Sequence, residues 1–236
     1  PKSYLLSLDA PVSAIHGGLG LTVRKDELGF ENTLFAKAAY SFHQVIGTGI
    51  LGIGLEGGML QKKLDNKWLP PDGISSVAPD KAIPDDKSSA MTYDLGFGLF
   101  YRTDQLYIGL SSSHIPQQDL KDKELKFEVA RHYYVTAGYD FQIGSEFKLK
   151  PSVFVKSDAA STIFDINLTG MFRDLVWLGA SYRMTDAIAV MAGVNFQPTS
   201  TSNIKIGYAY DITSSDLKNH SDNTHEVMIG YCLKVN

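Results

Sequence analysis

Apolar residues alternate with small or polar ones, at a period of two, from one end of this 236-residue chain to the other. Almost no segment repeats with the helical period. Successive side chains of a strand point to opposite faces, so sustained alternation commits a chain to sheet. In 163–171, I-F-D-I-N-L-T-G-M, one face carries Phe164, Ile166, Leu168 and Gly170, and the other Asp165, Asn167 and Thr169. In 175–183, Val176, Leu178, Ala180 and Tyr182 oppose Trp177, Gly179, Ser181 and Arg183. The same pattern fits 17–24, 93–102, 147–155, 187–196, 203–211 and 225–234. About thirteen strands of roughly 8 to 12 residues result, near the length that crosses a bilayer at a tilt.

The content of the faces narrows the class further. The chain has 21 glycines, and glycine weakens a strand interior unless something requires it. In L-G-F-G-L-F-Y-R (95–102), Gly96, Gly98 and Arg102 share the less apolar face. A soluble core needs bulk inside and polarity outside, whereas a barrel in lipid needs aliphatic and aromatic residues outside and small or polar ones inside. Tyrosines near strand ends, among them Tyr40, Tyr93, Tyr133, Tyr208 and Tyr231, fit interfacial girdles.

The connections alternate in length. Segments 212–223, 115–127 and 62–90 are long, whereas 173–174 and 103–105 are tight; 185–186 is the exception. If the final strand ends on the periplasmic side, the long connections face outward and the tight ones inward, as in bacterial outer-membrane barrels. The expected fold is therefore all-β, a transmembrane antiparallel up-and-down β-barrel forming a single domain over 1–236. Thirteen strands are odd, while single-chain bacterial barrels are even. Parity thus predicts about fourteen, with one strand preceding Pro1.

Composition excludes several functions. The net charge of −4, with both signs interspersed, gives no basic stripe for nucleic acid. One cysteine, Cys232, forms neither a disulfide framework nor a multi-cysteine metal cluster. His225 and Glu226 resemble half of a zinc-protease motif, but position 229 is Ile, and in a strand the two side chains diverge. His114 and His132 flank 115–127 and could approach each other across a hairpin; a metal there would need a third ligand such as Asp119. No G-x-S-x-G elbow or P-loop occurs. No catalytic residue, metal or cofactor is expected.

Two sets of residues remain as candidates. The 62–90 loop, with Trp68, Pro70, Pro71 and Asp72, is expected to be a partner-binding surface, because its prolines exclude a strand. Charges on the less apolar faces, among them Arg102, Asp140, Asp165, Arg183, Asp211 and Glu226, are expected to form a polar network inside the lumen. Both signs are present, which suits salt bridging across the lumen better than an ion-selective ring.

Several stretches occurring in order carry a family resemblance. They are F-G-L-F-Y-R-T-D-Q-L-Y-I-G-L-S-S-S-H-I (97–115), H-Y-Y-V-T-A-G-Y-D-F (132–141), F-K-L-K-P-S-V-F-V-K (147–156), W-L-G-A-S-Y-R-M-T-D-A (177–187), I-G-Y-A-Y-D-I-T (206–213) and T-H-E-V-M-I-G-Y (224–231). The series resembles the PorP/SprF family of type IX secretion system outer-membrane proteins. The resemblance matches Tyr208, Asp211, His225 and Glu226 to recurrent family positions. It implies a non-catalytic outer-membrane, multi-pass barrel with loops facing the cell exterior. Its implied role is to help secrete or anchor a large surface protein, such as a gliding adhesin, through that protein's C-terminal domain. Other type IX components and membrane lipid would be its remaining partners. A channel for small solutes is the alternative.

Overall fold

The computed structural model describes residues 1–64, 88–121, 126–184, 186–215 and 223–234. The strands are β1 (Lys2–Val12), β2 (Gly17–Leu28), β3 (Glu31–Ile46), β4 (Gly49–Leu64), β5 (Ser88–Arg102), β6 (Leu106–Ser113), β7 (Asp119–Lys121) and β8 (Lys126–Glu128). They continue as β9 (His132–Tyr139), β10 (Phe141–Ile143), β11 (Phe147–Ser157), β12 (Thr162–Phe172), β13 (Val176–Arg183), β14 (Ala187–Thr199), β15 (Ser202–Thr213) and β16 (Thr224–Leu233). One short 3-10 turn, Ser13–Ile15, lies between β1 and β2. Hydrogen-bonded neighbours run β1-β2-β3-β4-β5-β6-β9-β11-β12-β13-β14-β15-β16, with β10 paired to β11 and β7–β8 forming a separate hairpin. The chain is thus an all-β, up-and-down antiparallel meander, the wall architecture of an outer-membrane barrel. The thirteen strands of the path fall where alternation places them. Within the stretch 132–141 the ladder breaks at Asp140, whose N–H bonds Gln105 O at 2.8 Å, so β9 and β10 flank it.

The residues group into two compact units, 1–100 with 111–133 and 101–110 with 134–236. In the second unit the register of β12 to β16 resolves the two faces. Leu178 pairs with Ala192, Ala192 with Tyr208, and Tyr208 with Val227. Another row of the same face runs Ile166, Tyr182, Ile188 and Ile212. These side chains form a continuous apolar face, and several are widely exposed: Leu178 at 68%, Val227 at 69% and Ile229 at 75%. An exposed apolar surface of this extent needs a non-aqueous partner. Within a sheet whose opposite face is polar, bilayer hydrocarbon meets that need.

The opposite face carries small and charged residues. One row crosses it as Met171, Trp177, Gly193, Gly207 and Met228. The Trp177 ring lies over both glycines: a Cβ built on Gly193 would stand 2.4 Å from the ring, and one on Gly207 3.1 Å. Tyr107 covers Gly138 in the same manner. Glycine at these three positions therefore lets an aromatic ring lie against the backbone, in space that a bulkier strand residue would obstruct.

Candidate functional site

In the first unit, the polar face of β3, β4 and β5 holds the most heavily desolvated group of charges among the described residues. Alternation puts Lys37 on this face, opposite Gly58, and Glu56 two positions along β4 from Gly58. The Lys37 Nζ donates to Glu56 Oε1 at 2.8 Å and forms an ion pair with Asp94 Oδ2 at 2.7 Å. His114 Nδ1 lies 2.9 Å from the same Asp94 oxygen. The Asp94 side chain is only 3% exposed and that of Lys37 16%. A buried charge without an opposite neighbour is expensive, so each member of the cluster depends on the others.

Glycine makes room for these side chains. A Cβ on Gly58 would stand 2.8 Å from Lys37 Cγ and 2.2 Å from Ala36 O, and one on Gly96 would stand 2.5 Å from Glu56 Oε1. The lysine stem and the glutamate carboxylate therefore lie directly on the bare backbone. On the flank, the Arg24 guanidinium sits over the Phe35 ring, 4.2 Å from its centroid, and Phe35 in turn meets the His114 ring. Next to them Lys62 Nζ bonds Glu31 Oε1 at 2.7 Å.

Residues 114–118 and 129–132, the ends of the 114–132 segment, lie along this face. His114 and Gln117 adopt left-handed backbone, φ 55° and 48°, which turns the chain sharply after β6. The ends of the segment clasp each other. Arg131 donates its guanidinium to Ile115 O at 2.5 Å, and Val129 N–H bonds Gln118 O at 3.0 Å. Gln118 Nε2 reaches Tyr93 Oη at 2.7 Å. Val129 packs with Leu60, Ala90 and Phe35, a small buried apolar cluster on an otherwise polar face. The crevice between this segment and β4–β5 is closely filled by Leu60, Asp94, His114, Gln118 and Val129. Burial of a valine contributes about 1.5–3 kcal/mol.

The expected approach of His114 to His132 occurs, with ring centroids 5.7 Å apart in an edge-on arrangement. The acidic group beside them is Asp94; Asp119 has no described side chain. Among the described residues no group of three or more His, Cys, Asp or Glu side chains is placed to hold a metal. Lys37 is the member that sequence reasoning passed over. Its signal was a lone lysine among small residues in A-K-A-A-Y, on the same face as Ser41.

In the second unit, Arg183 donates from Nε to Asp165 Oδ1 at 3.2 Å and from Nη1 to Asp186 Oδ2 at 3.2 Å. Asp211 adds a longer-range attraction to the same guanidinium. Asp140 pairs with Lys150 at 2.7 Å. Arg102 and Glu226 are exposed and belong to none of these pairs. Trp68, Pro70, Pro71 and Asp72 lie outside the described residues.

His225 and Glu226 fall on opposite faces, pairing with Tyr210 and Ala209 respectively. The His225 ring belongs to the apolar face, where Tyr208 Oη lies 2.6 Å from its Nδ1 and the Tyr210 ring 4.9 Å from its centroid. An amphipathic aromatic cluster of this kind suits the boundary between hydrocarbon and headgroups.

No curated protein sequence matches the chain. A family model described as "Type IX secretion system membrane protein PorP/SprF" matches residues 1–231. With nearly the whole chain matched and an alternating, two-faced antiparallel sheet beneath that match, the chain belongs to the PorP/SprF family of type IX secretion system membrane proteins.

Proposed function

We propose that this protein is a non-catalytic outer-membrane component of the type IX secretion and gliding machinery. It helps to secrete or anchor a large surface protein by docking that protein's C-terminal domain at its extracellular rim or lumen. Family membership supports the machinery. The observation that favours docking over solute passage is the polar face of β3–β5. It carries a largely desolvated cluster of paired charges of both signs, with Val129 packed beside it, rather than an open row of like charges. The long segments 62–90, 115–127 and 212–223 supply contact surface in this account.

Deleting residues 66–86, which removes Trp68, Pro70, Pro71 and Asp72, should reduce surface retention of the cognate adhesin while the barrel still inserts. Unchanged retention would count against that loop. Planar-bilayer recording separates the alternative: a docking wall conducts little, and a large steady conductance would favour a channel for small solutes.

A further inference from the structure

The β3–β4 hairpin is apolar on both faces at its tip. On the face away from Lys37, β3 reads Leu34, Ala36, Ala38, Tyr40 and Phe42, and then Gln44. The run from Leu34 to Phe42 matches the roughly 9–11 residues with which a tilted strand crosses hydrocarbon. Tyr40, whose Oη donates to Ile15 O at 2.8 Å, marks its interfacial end. Residues 43–50 therefore stand in water. Yet the directly paired Val45 and Ile50 are 69% and 50% exposed on the face of Lys37 and Glu56, and Ile46 is 48% exposed on the other. Ile15 is exposed too, in the turn whose His16 O accepts from His43 N–H at 2.8 Å. No charge interrupts this rim: neither 10–23 nor 38–55 contains Asp, Glu, Lys or Arg. Tight turns of the second unit differ in kind, with Arg173 ion-paired to Glu146 and Lys148 to Asp174. A contiguous aliphatic patch exposed to water marks a protein contact.

The geometry narrows what can cover it. Lipid reaches only one face of a barrel wall, so it leaves Val45 and Ile50 bare. A second copy in the same membrane points its hairpin the same way, and a side-by-side contact covers the face of Ile46 alone. The connection from β4 to β5 leaves at Leu64 and re-enters at Ser88, at the far end of β4, about 50 Å from the tip. Reaching the tip and returning takes about 30 extended residues, more than 65–87 supplies. We infer that Val45, Ile46 and Ile50, with Ile15 beside them, form a docking surface for a water-soluble protein that receives the hairpin tip in an apolar, uncharged cleft. The two-residue turn at Gly47 and Thr48, with Gly47 at φ 60°, keeps the tip narrow enough to enter. This inference rests on the export role proposed above, because the partner works with the barrel in export, and its test separates the two.

The test uses whole cells and full-length chain carrying the photoprobe p-benzoylphenylalanine in place of Thr48. Ultraviolet light should give one discrete adduct with a water-soluble protein. The adduct should fall at least about tenfold with Val45→Asp or Ile50→Asp, because an unpaired carboxylate is costly in an apolar cleft, and persist with Val45→Leu. The same probe in place of Asp174, in a charged turn, should not give it. An adduct insensitive to the aspartates, one common to both probe positions, adducts with a second copy or lipid alone, or no adduct would each overturn the inference. Heat-modifiable migration on gels verifies that the variants are folded.

Surface proteins of the same cells are then biotinylated and compared. Val45→Asp and Ile50→Asp should deplete surface proteins that Val45→Leu retains. A full surface set despite loss of the adduct would overturn the inference and leave the export role standing. A surface set unaffected even by removal of the whole protein would overturn both.

Discussion

At the scale of single residues, the lysine that alternation alone did not single out organises the interior of the first unit. Lys37 holds two carboxylates in place, one of them almost fully removed from solvent. Replacing Lys37 by Met leaves Asp94 as a buried charge with only His114 beside it. Loss of one partner from a buried pair costs about 3–5 kcal/mol, and the partial exposure of Glu56 places the expectation at the lower end. Equilibrium unfolding in urea from lipid vesicles should show this loss, and adding Asp94→Leu should recover much of it. A Lys37→Met protein as stable as the native one would contradict the assignment.

Glycine is the second residue-scale device. Gly193→Val drives a side chain into the Trp177 ring and Ile206 O, each 2.4 Å from the position of its Cβ. Such overpacking costs about 1–3 kcal/mol. Trp177→Leu in the same chain should relieve part of it, measurable as non-additivity of the two substitutions.

At the scale of elements, the turn between β11 and β12 is held by one carboxylate. Asp158 Oδ1 accepts from Ser161 N–H at 2.7 Å and from Ala160 N–H at 3.0 Å. These backbone donors, Ser161 first, hold the Asp158 carboxyl below its usual range. A depressed carboxylate stabilises the fold above its unfolded-state value, and the contribution is lost as pH falls through the lower folded-state value. The thermal stability difference between native protein and Asp158→Ala should therefore be present at neutral pH and vanish in acid. A difference that grew in acid would contradict the assignment.

The thirteen strands of the main path were legible because a period of two runs through them and tight turns punctuate it, whereas the short hairpin of β7 and β8 arises where 115–127 was expected to be a loop. The division at Asp140 was not, since a single residue leaving the ladder does not disturb alternation on either side. The His114–His132 approach was legible from the hairpin they flank. Asp94 as their neighbour was not, because it arrives from a different strand. Likewise, Arg183 and Asp165 share a face by periodicity, but the engagement of Asp186 depends on the turn that follows β13.

For the whole molecule, the strand set, the family match and the two faces are one physical statement. Backbone groups in hydrocarbon must be paired within the sheet, so a spanning chain of this kind needs consecutive antiparallel neighbours. The path from β1 to β16 supplies that order. The widely exposed face of Leu178, Val227 and Ile229 is the one whose chemistry suits hydrocarbon.

The measurement that tests this most directly is spin labelling along β13 in bilayers, in a Cys232→Ser background, with oxygen and a water-soluble nickel complex as relaxing agents. Labels at 176, 178, 180 and 182 should be relaxed by oxygen and shielded from nickel, while those at 177, 179, 181 and 183 should not follow oxygen. Uniform accessibility along the strand, or nickel relaxation strongest at 178 and 180, would contradict a wall whose apolar face meets lipid.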